Sequence, residues 1–341
     1  MNYFVPSVAR GHDVRTAMDG TLWRSAGHEL AGRVDGDPAF ATLDDVARKS
    51  AGFLDYAAYF DLTMVPPHLT HVPASAQAAA AARLTSAFRD SGPEGGAPVD
   101  APRITNFSEE FFEPAELAAM SRWWDIEPSN RMSLVAASPQ EFATVSALAK
   151  EALDRLASAA PELHAETLAI VRDLVVAKPD ETSLIRYSGA SSFALWGAIT
   201  VNAEIHHNWM QMYRQIVHEA GHNLLFGIAR DQPLLLNEAG ERTASPIRAD
   251  PRPIDGVFHA AYVSAREAYA LEALLIEHGR RGSLTEIEAG IVEELLRLSV
   301  LAFTDCVATL RSDAVRLTSF GSDVLGHCED YIQTNFAVEP G

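Results

Sequence analysis

Residues 209–228 read WMQMYRQIVHEAGHNLLFGI, and how this stretch folds decides what surrounds it. Val217, Ala220, Leu224, Leu225 and Ile228 recur at the spacing of one helix face, an apolar stripe that would anchor the helix in a core. His218 and His222, four apart, then lie one turn from each other on a shared face, where two imidazoles converge on one divalent ion. Glu219 is rotated by about 100° from His218 around the helix axis, so it joins them on the same ion only with distortion. In a hydrolytic zinc site a glutamate so placed is the general base acting on metal-bound water. In a non-hydrolytic site it belongs to the shell that orients a ligand or a water. Gly221 costs about 1 kcal/mol relative to alanine inside a helix, which calls for a packing or ligand-approach reason.

Two residues downstream are candidates for a third ligand. Glu238, in Asn237-Glu238-Ala239-Gly240-Glu241, would complete a His-His-Glu zinc set; it falls between Pro233 and Pro246, on a loop where such enzymes use a second helix. His259 follows Gly256-Val257-Phe258 and is expected to open a helix at the end of a long irregular loop over 231–257. Long loops inside compact domains are usually functional. This one carries Arg242, Arg248 and Arg252, and Ser245-Pro246-Ile247-Arg248-Ala249-Asp250-Pro251-Arg252-Pro253 is stiffened by prolines. An arginine fixed beside a metal suits a carboxylate, held through two parallel hydrogen bonds. A carboxylate-bearing substrate or cosubstrate is the expectation.

The rest of the chain sets the frame. Its 341 residues are 48% apolar and 21% charged, normal for a globular protein with a proper core. A net charge of -19 repels phosphate backbones and anionic membrane surfaces, so neither is an expected partner. No apolar run has the length of a membrane span. The opening Met1-Asn2-Tyr3-Phe4-Val5-Pro6 lacks a basic cluster followed by an apolar stretch, so no signal peptide is read and a cytoplasmic location follows by default. Cys306 and Cys328, a single pair, make no disulfide framework and are read as reduced thiols.

Helix is expected from about 17 to 89, followed by a breaker-dense loop at Ser91-Gly92-Pro93-Glu94-Gly95-Gly96-Ala97-Pro98. Ser138-Pro139-Gln140-Glu141 carries the capping signature of a helix running to about 160. Strands are expected at 184–187 and 192–201, with Trp196 read as core more than as pocket wall. His206-His207 is read as structural or exposed. Helices follow at 259–278, 284–310 and 312–331. The expected fold is α+β and predominantly α-helical, with a small β-sheet beside the metal-motif helix and a C-terminal helical bundle. Its sections are a helical one at 1–90, a flexible loop at 91–102 and a metal-binding one at 103–341, packed together as one compact body.

His218-Glu219-Ala220-Gly221-His222, then Ser245-Pro246-x-Arg248, Asp250-Pro251-Arg252-Pro253 and Gly256-Val257-x-His259, resemble the HExxH-motif peptide-modification family. Its members accompany ribosomally made peptides, and the characterised ones are iron(II)- and 2-oxoglutarate-dependent peptide β-hydroxylases. The resemblance is tightest over 209–265. It implies metal binding by His218, His222 and His259, with Arg248 or Arg252 receiving the 2-oxoglutarate carboxylate. It also implies hydroxylation of a peptide or an amino-acid-like substrate, free or carrier-bound, at an unactivated carbon. This chain has Ile247 where the family often carries an aromatic residue, and Ala260-Ala261 where a glycine-containing pair is usual.

Three readings follow: such an oxygenase; a zinc metallopeptidase with Glu219 as base and Glu238 as third ligand; and a non-catalytic binding protein on the same fold. The three imidazoles themselves suit zinc, copper, nickel and iron alike.

Overall fold

In the computed structural model the described residues are 2–31, 50–89, 99–124, 132–183, 187–243 and 251–336. The expected loop at 91–98 and residues 184–186 of an expected strand lie outside them. The chain gathers into two compact units, a sheet-containing one (Val8–Lys150 with Glu166–His207) and a helical one (Met1–Ser7, Glu151–Ala165 and Asn208–Gly341).

The sheet unit is built on three parallel strands, β1 (Arg103–Asn106), β3 (Asp173–Pro179) and β5 (Ala198–Asn202), with β3 between the other two. Their register aligns Ile104, Leu174 and Ile199. β2 (Leu134–Val135) runs antiparallel to the far end of β3, and β4 (Gly189–Ala190) antiparallel to β5. All of β5 and the first five residues of β3 are buried. Parallel strands covered on both faces carry such continuous apolar runs in place of alternation.

Around them lie α1 (Val8–Ala31), α2 (Phe53–Thr63), α3 (Ala74–Arg89), α4 (Pro114–Trp124), the first half of α5 (Pro139–Ala159) and the end of α6 (Pro161–Ile170). The α5 start follows the sequence reading. Glu141 N–H donates to Ser138 Oγ at 3.3 Å, and Ser138 N–H to the Glu141 carboxylate at 2.6 Å. A shared core holds Phe53, Phe112, Met120, Trp123, Trp124, Val175 and Leu195.

The expected strand at 192–201 is corrected. Phe193–Leu195 forms a 3₁₀ turn, closed by Leu195 N–H to Ser192 O at 3.0 Å, and the strand begins only at Ala198. Gly197 separates them at φ +93°, a left-handed conformation that L side chains avoid. A Cβ there would also stand 2.7 Å from Arg15 Nη1. Trp196 is fully buried, as core. The Arg15 guanidinium lies 4.8 Å above its ring.

Arg15 belongs to a buried clamp. Its Nε lies 3.3 Å from Asp19 Oδ2 one turn along α1, each side chain 1% exposed. Arg15 Nη2 donates to Ala51 O at 3.1 Å, and Tyr56 OH donates to Asp19 Oδ1 at 2.9 Å. Burial pushes the Asp19 carboxyl up to about 6, against the opposing pull of Arg15. A carboxyl with a raised folded-state value binds its proton more tightly folded than unfolded, so its contribution to stability grows as pH falls through that value. From the ordinary 3.8 to about 6 this amounts to about 3 kcal/mol. Wild type should therefore gain on Asp19→Asn as pH drops from 7 to 4.5 in urea unfolding. A constant gap between the two would show that Asp19 carries its charge without strain.

The helical unit contains the second half of α5, the start of α6, α7 (Trp209–Ala229), α8 (Ile254–Arg281), α9 (Glu286–Leu310) and α10 (Ser319–Asn335). α7 is capped by Asn208, whose side chain accepts from Gln211 N–H at 2.9 Å. α9 opens with a reciprocal Thr285/Glu288 capping box, and α8 ends on Gly282 at φ +63°. Every residue of α8 from Val257 to Ala268 is buried, as expected of a helix enclosed on all sides. Tyr262 OH and Arg266 Nη1 donate to the carbonyls of Tyr3 and Phe4 at 3.0 and 2.8 Å.

Two expected boundaries move. α8 begins at Ile254, ahead of His259, because Pro253 fixes its own φ at -53° and Asp255 places a negative charge in the first turn. The stretch before it is partly regular: β6 (Arg242–Thr243) pairs antiparallel with β7 (Arg252–Pro253). α10 starts at Ser319 and not near 312, because the preceding segment is engaged otherwise. Leu236 N–H bonds Arg316 O, and Thr318 N–H bonds Leu234 O. The chain is α+β and mostly helical, as the sequence indicated. Among the described residues no helix is long and apolar enough to cross a membrane.

Candidate metal centre

α7 turns all but one face into the core. Along the remaining stripe, Gln211, Arg214, His218, His222 and Phe226 are part-exposed, while Val217, Glu219, Ala220, Gly221, Leu224 and Leu225 are buried. The two histidines thus lie on the part-exposed stripe of a helix whose other faces are packed. His218 Nε2 and His222 Nε2 stand 3.2 Å apart. Metal–nitrogen bonds of about 2.1 Å, opening at about 90–110°, separate donor atoms by about 3.0–3.4 Å. This edge therefore fits a shared ion.

His259 comes from α8. Its Nδ1 lies 3.0 Å from His222 Nδ1, the rings stacked at 5.2 Å between centroids. The approach is from the side of His222 opposite the edge shared with His218, so the three imidazoles form a file. Among the described residues no three His, Cys, Asp or Glu side chains meet as a metal cage. A three-imidazole set on one ion requires the His259 ring to turn toward the edge shared by His218 and His222.

Gly221 makes the approach of α8 possible. A Cβ there would meet Val263 Cγ1 at 3.1 Å and Val263 Cα at 3.7 Å. The packing reason expected for this glycine is the close crossing of α7 and α8.

The carboxylate that reaches the histidine pair is Glu267, also on α8, which the sequence reading missed. Its Oε1 is 2.7 Å from His218 Nδ1, and its Oε2 accepts from Arg214 Nε at 2.7 Å and Ser299 Oγ at 2.5 Å. The side chain is 2% exposed. Burial alone would raise its carboxyl, but the Arg214 charge and the His218 and Ser299 hydrogen bonds hold it at about 2. Burial pushes His218 down, yet its bond to Glu267 carries it above the usual imidazole range. His222 is pushed well below that range by burial, with His218, His259 and Arg252 adding to it. Burial lowers His259 too, Asp255 opposing and Arg252 reinforcing.

A carboxylate only accepts, so the direction of the file is fixed for neutral rings. His218 donates from Nδ1 to Glu267, His222 from Nε2 to His218, and His259 from Nδ1 to His222. Both lone pairs needed by an ion on the shared edge become available when the His222 proton leaves that edge.

Among the other residues singled out, Arg252 is part-buried on β7, its guanidinium beside the start of α8, with Nε 3.7 Å from where a Gly256 Cβ would stand. Its charge acts on His222, His259 and the buried Cys306 thiol, which burial pushes up to about 12. Arg248 lies outside the described residues. Arg242 is exposed and donates to Pro251 O at 2.9 Å. Glu238 is exposed in a turn, its N–H bonded to Glu241 Oε1 at 2.8 Å. Neighbouring Asn237 and Leu236 lie along 314–316, on the approach to α10. Glu219 is 3% exposed, on the buried side of α7, and accepts from Gln215 Nε2 at 2.7 Å. Phe226 packs beside the imidazoles, its ring 4.8 Å from that of His259 and 6.5 Å from that of His222.

No protein-family model and no curated protein matches the chain. Outside the site, His206 is buried with Nε2 2.8 Å from Ser188 O, and His207 is exposed, the structural role expected of that pair. Cys306 and Cys328 are buried and unbridged.

Proposed function

We propose that the chain is an iron(II)- and 2-oxoglutarate-dependent oxygenase that hydroxylates a peptide or amino-acid-like substrate, with His218, His222 and His259 as metal ligands. The observation that carries this reading is the third imidazole. The residue stacked on His222 is His259, whereas Glu238, on which the zinc-peptidase reading depends, sits exposed in a turn whose backbone is tied to Glu241. The donor set fits a first-row metal that keeps open positions for a bidentate cosubstrate.

When bound, iron(II) and 2-oxoglutarate supply the oxidation in which O₂, 2-oxoglutarate and a C–H bond become succinate, carbon dioxide and a C–OH. The chain's own residues hold and orient. His218 and His222 offer nitrogens at the spacing of a coordination edge, from a helix that is buried elsewhere. Arg252 supplies the positive charge beside His222 and His259 that a 2-oxoglutarate carboxylate needs. Phe226 places an apolar ring beside His259, where it would keep water from the reacting carbon. Glu219, on the buried side of α7 and bonded to Gln215, supports α7 in this reading and does not act as a hydrolytic base.

Anaerobic addition of iron(II) and 2-oxoglutarate to purified protein should produce a weak visible charge-transfer band, and Arg252→Ala should weaken it. In air the same mixture should release succinate, and an accepted peptide should gain one oxygen atom by mass. New peptide termini without succinate would overturn the proposal in favour of a hydrolase.

A further inference from the structure

The structure assigns Glu267 as the positioning residue of the metal site, the group that keeps the His218 proton on Nδ1 so that the Nε2 lone pair faces the shared edge. This inference rests on the metal reading above and goes beyond it, because nothing in the HExxH motif specifies which ring nitrogen of His218 carries hydrogen.

Three groups from two helices, α7 and α9, converge on one carboxylate of α8, and they divide between its oxygens: His218 on Oε1, Arg214 and Ser299 on Oε2. Arg214 never accepts a hydrogen bond. Ser299 is fully buried and spends its hydroxyl proton on the same oxygen. With Oε2 committed, Oε1 is an acceptor with a single partner, and it forces a hydrogen onto the facing His218 nitrogen. Partners of this kind fix ligand tautomer and ring orientation and raise ligand basicity, and losing one costs about 10–100-fold in metal affinity.

Glutamine at 267 gives an asymmetric test. It keeps the shape but offers one oxygen and one NH₂. Arg214 and Ser299 both donate, so the oxygen has to face them and the NH₂ has to face His218 Nδ1. That nitrogen must then accept, and the His218 proton moves to Nε2, the atom an ion needs. Glu267→Gln therefore inverts the tautomer, whereas Glu267→Asp retains two acceptor oxygens on a shorter arm.

Two readouts decide this, neither of which is turnover. Nitrogen-15 NMR of the His218 ring in metal-free protein should show hydrogen on Nδ1 in wild type and Glu267→Asp, and on Nε2 in Glu267→Gln. Titration with Co(II) should show affinity falling about 10–100-fold in Glu267→Gln, with partial recovery in Glu267→Asp. Circular dichroism of each variant separates this from unfolding. If Glu267→Gln is folded and binds Co(II) as wild type does, or if wild-type His218 carries its hydrogen on Nε2, the role assigned to Glu267 is wrong. If wild type itself binds neither Co(II) nor iron(II), the metal reading fails and takes this inference with it.

Discussion

Alanine in place of His222 should abolish tight metal binding. His222 is the middle of the imidazole file, 3.2 Å from His218 on one side and 3.0 Å from His259 on the other. Its removal deletes a donor from the shared edge and disconnects His259 from the pair. Metal sites of four protein ligands hold their ion with roughly 10–16 kcal/mol, so one ligand is worth about 3 kcal/mol, or about 10²–10³-fold in affinity. His259→Ala should show a loss of the same order and Glu238→Ala none, with bound iron or Co(II) measured after gel filtration. The reverse ranking would move the site to the loop carboxylate and sink the oxygenase proposal. The fold should tolerate His222→Ala, because the imidazole is part-exposed and the packing of α7 lies on its other faces.

Trp196→Ala should be the most damaging single change to the sheet unit. The indole is fully buried between the 3₁₀ turn and β5, its ring 5.6 Å from that of Tyr56 and 4.8 Å below the Arg15 guanidinium. Large-to-small changes of an aromatic core residue cost about 3–5 kcal/mol. Here the vacated space also borders the Arg15–Asp19 pair, whose charges are held in a dry setting. Water entering beside them would loosen the clamp on Ala51. Urea unfolding should show a midpoint well below that of wild type. A loss under about 1 kcal/mol would mean that the neighbouring side chains collapse into the gap.

The helix of the two histidines was readable because its period is written in the residues: an apolar stripe on one face and two histidines one turn apart on another. The helices around it were readable for the same reason, and their caps at Ser138/Glu141 follow the expected pattern. The strand at 192–201 misled because its aromatic and β-branched content fits a strand, while the left-handed turn at Gly197 is set by the buried Arg15 beside it, which no local pattern displays. Glu267 was missed because a hydrogen bond to a ligand leaves no spacing rule. A signal was present: Arg266-Glu267 interrupts Ala260-Ala261-Tyr262-Val263-Ser264-Ala265 and Ala268, a charged pair inside an otherwise uncharged stretch of its helix. Buried carboxylates are seldom kept without a partner.

The crossing of α7 and α8 at Gly221 means that the separation of two ligand-bearing helices is governed by a side chain that does not exist. A single added methyl would have to wedge against Val263, whose nearest carbon leaves it only a few tenths of an ångström short of ordinary contact. The spacing of the helices that carry His222 and His259 is in this way metered by one hydrogen atom at position 221, which makes that position the natural dial for retuning the ion preference of the proposed site without touching any donor.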